Sequence, residues 1–215
     1  MHQDTWYVSA GMWPMDVSSR TANTATLSSH VSMSSQKDGN KMFFNAPRNK
    51  AAGNSTTGSS GYYGSISKTT DSGATWTEVY HSAATDNFYF NGISCSSENH
   101  CVAAGEGASS EDNIALLTTD GGVTWTKSEV SFDTNVVSCT SVAWMSETDG
   151  WLGATAKSGR ELEGLFYKTT DGGKSYVLDQ QVDNCFIMDI DSVGETGVAS
   201  CLSSSGSSAS VAQYN

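Results

Sequence analysis

Three aspartates stand in near-identical surroundings: Thr69-Thr70-Asp71-Ser72-Gly73-Ala74-Thr75-Trp76, Thr118-Thr119-Asp120-Gly121-Gly122-Val123-Thr124-Trp125 and Thr169-Thr170-Asp171-Gly172-Gly173-Lys174-Ser175-Tyr176. They lie 49 and 51 residues apart. A carboxylate two residues before a glycine accepts backbone N–H groups, while the glycine takes positive φ without steric cost. The flanks before two of these octapeptides are apolar, Ile114-Ala115-Leu116-Leu117 and Leu165-Phe166-Tyr167. Each octapeptide therefore reads as the tip of a β-hairpin. Its closing aromatic, Trp76, Trp125 or Tyr176, packs on a neighbouring repeat. A group that recurs in every repeat serves the repeat, whereas a catalytic group stands once. Asp71, Asp120 and Asp171 are expected to be structural for that reason.

The other chemistry-bearing residues converge poorly. Glu147, Asp149, Glu161, Glu163, Asp189 and Asp191 are candidates for the carboxylate pair a glycosidase needs, but they also suit solvated turns and strand ends. His2, His30, His81 and His100 are scattered, and no Ser-His-Asp set can be assembled from them. Gly173-Lys174-Ser175 mimics the end of a P-loop, yet Lys168 stands where that motif needs its first glycine. The acidic run Glu106-Gly107-Ala108-Ser109-Ser110-Glu111-Asp112-Asn113 is the weak metal candidate. Its Glu106, Glu111 and Asp112 offer oxygens of the kind calcium takes, without an EF-hand pattern. No other cofactor is indicated.

Five cysteines occupy 95, 101, 139, 185 and 201. Cys95 and Cys101 flank a short polar turn, so their side chains meet across a hairpin if the flanking strands pair. Cys185 and Cys201 have a similar placement in the last repeat. Cys139 is left over, either buried and free or joined to another chain. Neither a Cys-x-x-Cys nor a paired histidine spacing suggests zinc. Asn54-Ser55-Thr56 is a glycosylation sequon in a polar stretch.

The elements that would position these residues also repeat. Gly92-Ile93-Ser94-Cys95 to Cys101-Val102-Ala103-Ala104-Gly105 matches Ser141-Val142-Ala143-Trp144 to Trp151-Leu152-Gly153-Ala154, and Met188-Asp189-Ile190 to Gly197-Val198-Ala199 is a fainter copy. Each repeat thus holds about four short strands in about 50 residues, as in a blade of a β-propeller. The expected fold is all-β: a propeller or partial propeller of about four four-stranded antiparallel blades. It forms one domain over residues 1–215, with repeats at about 1–82, 83–131, 132–181 and 182–215. Residues 14–60 are a degenerate blade or a long insertion. Residues 48–61 and 203–208 read as polar loops.

The octapeptide Thr/Ser-x-Asp-x-Gly-x-Thr-Trp resembles the Asp-box, or bacterial neuraminidase repeat. The longer unit from Gly150-Trp151-Leu152-Gly153 to Phe166-Tyr167-Lys168-Thr169-Thr170-Asp171 is similar to propellers of the photosystem II stability/assembly factor type. It also resembles the wider group that includes sortilin-like domains and certain glycoside hydrolases. The likeness is good across about 85–180, partial at 60–80 and 183–215, and poor over 12–60. In this group Asp-boxes are structural, which implies that role for Thr69, Asp71, Gly73, Thr75, Trp76, Thr118, Asp120, Gly122, Thr124, Trp125, Thr169, Asp171, Gly173, Ser175 and Tyr176. Sialidases of the group use an arginine cluster. This chain has only Arg20, Arg48 and Arg160, far apart in sequence. The assembly-factor resemblance implies protein partners.

Composition narrows the function classes. Asp and Glu number 23 against 11 Lys and Arg, a net charge of −12. Such a surface repels phosphate backbones, which opposes nucleic-acid binding. The chain contains 35 serines and 22 threonines but only 2 prolines. That suits strands and tight turns and suits long helices badly. No apolar run approaches 18 residues, so no transmembrane helix is expected. The beginning, Met1-His2-Gln3-Asp4-Thr5-Trp6-Tyr7-Val8, lacks a signal peptide's basic and apolar regions. Either Met1 is a true start or the chain is a processed part of something longer, and the strand-like character favours the second. Cysteine usage, the sequon and the hydroxyl-rich surface favour an oxidising location, extracellular first and an organelle lumen second. The leading expectation is a non-catalytic protein-interaction or scaffolding module. The alternatives are a structural subunit of a larger extracellular assembly and a carbohydrate-binding or glycoside-hydrolase-related propeller.

Overall fold

The computed structural model describes residues 17–18, 32–35, 42–49, 62–69, 75, 77–83, 85–97, 99–107, 109–193, 196–203 and 209–214, with side chains described within 64–203 except at 69 and 193. Asn54 of the sequon and Asp71, Gly73 and Trp76 of the first octapeptide lie outside the described residues, and Thr69 is described by its backbone alone.

Among the described residues the strands form four sheets. The first runs in chain order through β1 (Val17–Ser18), β2 (Ser32–Ser35), β3 (Met42–Asn49), β4 (Tyr62–Thr69) and β5 (Thr77–His81). The second is β6 (Phe88–Ser97), β7 (His100–Gly107), β8 (Ile114–Thr118) and β9 (Thr126–Lys127). After β9 the chain forms β10 (Glu129–Val130), then β11 (Val136–Trp144), β12 (Gly150–Ser158), β13 (Glu161–Thr169) and β14 (Ser175–Asp183). The third sheet has the order β10-β14-β13-β12-β11. The fourth comprises β15 (Phe186–Val193), β16 (Thr196–Leu202) and β17 (Ala209–Tyr214).

Neighbouring strands of the second and fourth sheets, and β11 to β14, pair antiparallel. The sequence pattern did not anticipate β10. This two-residue strand leaves one sheet and pairs parallel with the outer strand of the next, Glu129 with Ser175 and Val130 with Tyr176.

The alternation of side chains explains the stacking. Along β12, Leu152, Ala154 and Ala156 join Val102, Ala104, Ala115 and Leu117 of the second sheet in one core. Trp151 faces the other way, with Phe166 against Cys185 and against Ile187 and Ile190 of the fourth sheet. Leu165 and Tyr167 of β13 belong to the first of these cores. The period of two delivers alternate residues to opposite sides. A sheet with a neighbour on both sides therefore buries both sets. Gly150 to Ala156 of β12 are all buried as a result. The outer strand β14 alternates toward solvent instead. The second sheet repeats the arrangement, with Cys101, Ala103, Ile114 and Leu116 meeting Ile66 of the first sheet. The fold is thus all-β, with antiparallel blades stacked face to face through three apolar cores.

Candidate functional site

The second and third octapeptides build the same turn. Thr118 Oγ1 donates to Asp120 Oδ1 at 2.8 Å and accepts the Gly122 N–H at 2.8 Å. Asp120 Oδ1 accepts the Thr124 N–H at 2.9 Å, and its Oδ2 accepts the Thr124 hydroxyl at 2.6 Å. In the third octapeptide, Thr169 donates to Asp171 at 2.8 Å and accepts Gly173 N–H at 2.9 Å, while Ser175 N and Oγ reach Asp171 at 3.0 and 2.7 Å. The paired glycines have positive φ, 70° and 87° at Gly121 and Gly122, and 75° and 79° at Gly172 and Gly173. The Thr124 hydroxyl, with further bonds to the charged form, holds the exposed Asp120 down to about 2. Partial desolvation pushes Asp171 up, but the Ser175 and Thr169 bonds outweigh it and its carboxyl is lowered.

The turns also tie neighbouring sheets together. Gly121 N–H donates to Asn99 O of the β6–β7 turn, and Gly172 N–H donates to Thr148 O of the β11–β12 turn, at 3.0 and 2.9 Å. Their carbonyls are met from the preceding sheet. Lys68 Nζ donates to Gly121 O at 2.5 Å, and His100 Nε2 lies 2.7 Å from Gly172 O. The other His100 nitrogen meets Ser96 Oγ, and the ring stands edge-on to Trp144 at 4.8 Å. Trp144 Nε1 in turn donates to Ser94 O at 3.1 Å. In the sequence His100 is one of four scattered histidines. Its register with a glycine 72 residues away has no local signal.

The remaining candidates fall apart or turn inward. Cys95 and Cys101 face each other across β6 and β7 and are disulfide-bonded, as are Cys185 and Cys201. Cys139 is free, 0% exposed and held in the core between the second and third sheets, so it is not placed to join another chain. Burial, with Glu106 nearby, pushes its thiol pKa far up, which makes it a poor nucleophile. Asp149 caps its own turn, accepting Thr148 Oγ1 at 2.6 Å and Ser146 Oγ at 2.8 Å. Arg160 is exposed in the β12–β13 turn, and Arg20 and Arg48 lie outside the described side chains.

Asp189 differs from the other acids. Its Oδ1 accepts both Ser141 Oγ at 2.6 Å and Ile190 N–H at 2.8 Å, joining the inner strands of two sheets. Burial raises its pKa against the pull of those bonds, and Asp191 raises it further.

The three carboxylates of the acidic loop do not act together. Asp112 is turned onto Ser109, accepting its N–H at 3.0 Å and its hydroxyl at 2.8 Å. Glu106 accepts the Tyr89 hydroxyl at 2.6 Å. Among the described residues no group of three or more His, Cys, Asp or Glu is gathered as a metal would need. The same loop instead borders a cleft of about 140 Å³ lined by Ser110, Glu111, Asn113, Ala115, Lys127, Ser128, Val130 and Phe132. Asn113 is 2% exposed. Its amide nitrogen donates to Ser110 O and Val136 O, both at 3.0 Å, which fixes which end is nitrogen. Its Oδ1 is buried with no hydrogen-bond partner among the described residues.

No protein-family model matches the chain, and no curated protein matches it. Solved structures do. A structure of YCF48 bound to D1 peptide is 21% identical at a TM-score of 0.56, covering 84% of this chain and 49% of that one. The GH74 enzyme of Niastella koreensis is 16% identical at 0.54, covering 80% and 26%. A protein of unknown function from Dyadobacter fermentans is 14% identical at 0.58, covering 86% and 65%. The chain therefore spans about half the length of the YCF48 structure and about a quarter of the GH74 enzyme. At these identities the likeness establishes the fold: this chain is a β-propeller or part of one.

Proposed function

We propose that the chain is a non-catalytic protein-interaction module built on Asp-box repeats, working outside the cell or in an organelle lumen. The observation that carries this reading is where the recurring polar groups go. Asp120, Asp171, Thr118, Thr169, Thr124 and Ser175 are all hydrogen-bonded within their own turns. The repeated chemistry therefore stiffens a scaffold, and recognition falls to the loops between strands. The similar YCF48 structure holds a peptide, which fits that division of labour. The two disulfides suit an oxidising compartment, and no helix among the described residues is long and apolar enough to cross a membrane. The acidic balance of −12 favours partners with basic patches over nucleic acid.

Chemical crosslinking of the native material with mass-spectrometric identification tests the reading. Reproducible crosslinks to a protein partner, or to further chains of an assembly, are expected. Their absence, together with turnover on a hydrolase or lyase panel, would replace it with the carbohydrate reading that the GH74 likeness favours. Thiol counting under denaturation should find one free thiol per chain, that of Cys139. Five would overturn the oxidising location.

A further inference from the structure

The second and third sheets are covered on both faces by their neighbours, whereas a core reaches the fourth sheet from one side. A bulge at the same place on β6, β11 and β15 aligns the three sheets. It falls between Phe90 and Gly92, between Cys139 and Ser141, and between Ile187 and Asp189. Counted from it, Ala103, Leu152 and Ala199 hold one position of the paired strands β7, β12 and β16. All three are buried against the preceding sheet. Val102, Trp151 and Val198 hold the position beside it. Val102 and Trp151 face the following sheet and are 0% exposed, but Val198 is 41% exposed. The residues paired with them repeat the contrast, since Ser94 and Ala143 are buried and Asp191 is exposed. Ala104 and Gly153 are buried, and Ser200 in their place is exposed.

The surface left open is thus the one that a following blade covers elsewhere in the molecule. At the other end of the array, the first sheet shares a core with the second and none with the fourth among the described residues. Propellers close with about four to eight blades. This chain has four sheets and spans about half the length of the YCF48 structure it matches, so two copies supply a ring at the upper end of that range. The side chains fit a contact between chains. The covered faces carry Ser94, Val102 and Ala104, or Ala143, Trp151 and Gly153, all uncharged, whereas the open one carries Asp191, Val198 and Ser200. Interfaces between chains accept polar groups more readily than cores do.

We propose that the open face of the fourth sheet, at Asp191, Val198 and Ser200, receives the first sheet of a second copy of this chain. The second copy's fourth sheet receives the first sheet of the original in the same way. Two head-to-tail contacts then close a two-fold ring of eight blades. This rests on the protein-interaction reading and names one partner, the chain itself.

Native mass spectrometry of the full chain, before and after denaturation, tests it. About twice 22.7 kDa is expected under native conditions and 22.7 kDa after denaturation. Val198→Lys puts an ammonium into both contacts and should raise the dissociation constant of the pair at least about tenfold. Val177→Lys, at a 70% exposed position on the outer strand β14, should leave that constant unchanged. Both positions are exposed, so both variants should keep the circular dichroism of the unaltered chain. A photoreactive phenylalanine in place of Ser200 should crosslink to the first sheet of the second copy, within residues 17–81. Crosslinks to residues 186–202 of the second copy would set fourth sheet on fourth sheet and overturn the head-to-tail contact. A mass that denaturation does not change would show that the face is left to solvent or covered from within one chain, and would overturn the inference. So would a pair as tight with Val198→Lys as without it. A single chain that still crosslinks to a different protein in the native material would leave the general reading standing and remove the ring. A ring without any such crosslink would keep the inference and confine the general reading to self-assembly.

Discussion

The turns at Thr118–Trp125 and Thr169–Tyr176 share one internal hydrogen-bond pattern and differ in what surrounds it. In the earlier turn the Gly121 carbonyl is met by a lysine and the closing Trp125 is only partly buried. In the later turn it is met by a histidine and the closing Tyr176 is 4% exposed, inside the core between the second and third sheets. Tyr176 brings a hydroxyl that finds no hydrogen-bond partner there, and burial pushes its pKa far above the ordinary tyrosine value. Short-range spacing thus sets the turn, and the neighbouring blade decides how strongly it is anchored.

The largest contrast should appear at the closing aromatics. Tyr176→Ala should cost about 3–5 kcal/mol in denaturant unfolding, and Trp125→Ala about 2 kcal/mol. Equal losses would mean that burial does not distinguish the turns. Tyr176→Phe removes the unmatched hydroxyl and should be neutral or stabilising by up to about 1 kcal/mol.

Next in size are the threonines, where the two turns should agree. Thr118→Ala and Thr169→Ala each strip a buried glycine N–H of its acceptor, at about 1–3 kcal/mol. The two values should match within about 0.5 kcal/mol, because the lost contacts are internal to the turn. A large discrepancy would show that the surroundings, and not the octapeptide, hold the threonine.

Acid should weaken both turns. Asp120 is depressed to about 2 on folding and Asp171 moves in the same direction. A carboxylate depressed on folding stabilises the fold above its unfolded pKa of about 3.9. That contribution is lost as pH falls through the folded value. The melting temperature should therefore drop between about pH 4 and pH 2, and less steeply in Asp120→Asn than in the unaltered chain. A flat profile over that range would remove the carboxylates from the account. The smallest effects belong to the carbonyl partners. His100→Phe and Lys68→Met should each cost about 1 kcal/mol, measurable by chemical denaturation. His100→Phe should cost the more of the two, because it also removes the contact of the second ring nitrogen with Ser96 Oγ.

Much of the fold was readable because its causes are short-ranged. The octapeptide encodes its turn through side chains two and four residues apart, and the period near 50 marks how often the chain returns. The hairpin placing Cys95 opposite Cys101 is equally local. The site was less readable. Glu106, Glu111 and Asp112 look like one acidic cluster in the sequence. In the fold, Glu106 turns to Tyr89, Asp112 to Ser109, and Glu111 to the cleft. Asn113 gave no signal, since its amide nitrogen is shared between Ser110 O nearby and Val136 O 23 residues on, and the second contact exists only in the fold. The strand β10 was hidden for a related reason, as two residues have no periodicity and Glu129–Val130 is a strand only by virtue of its partner at Ser175 and Tyr176.

The sequence alone determined the class of structure: alternating residues make strands, glycine pairs after aspartate make tips, and repetition makes blades. Tertiary structure decided which tips are anchored in a core, which carboxylates are consumed in turns, and which polar atom is left unmatched beside an open cleft. The first set depends on contacts within a few residues, where covalent geometry limits the options. The second depends on which blade face meets which, and one missing donor there outweighs any local preference.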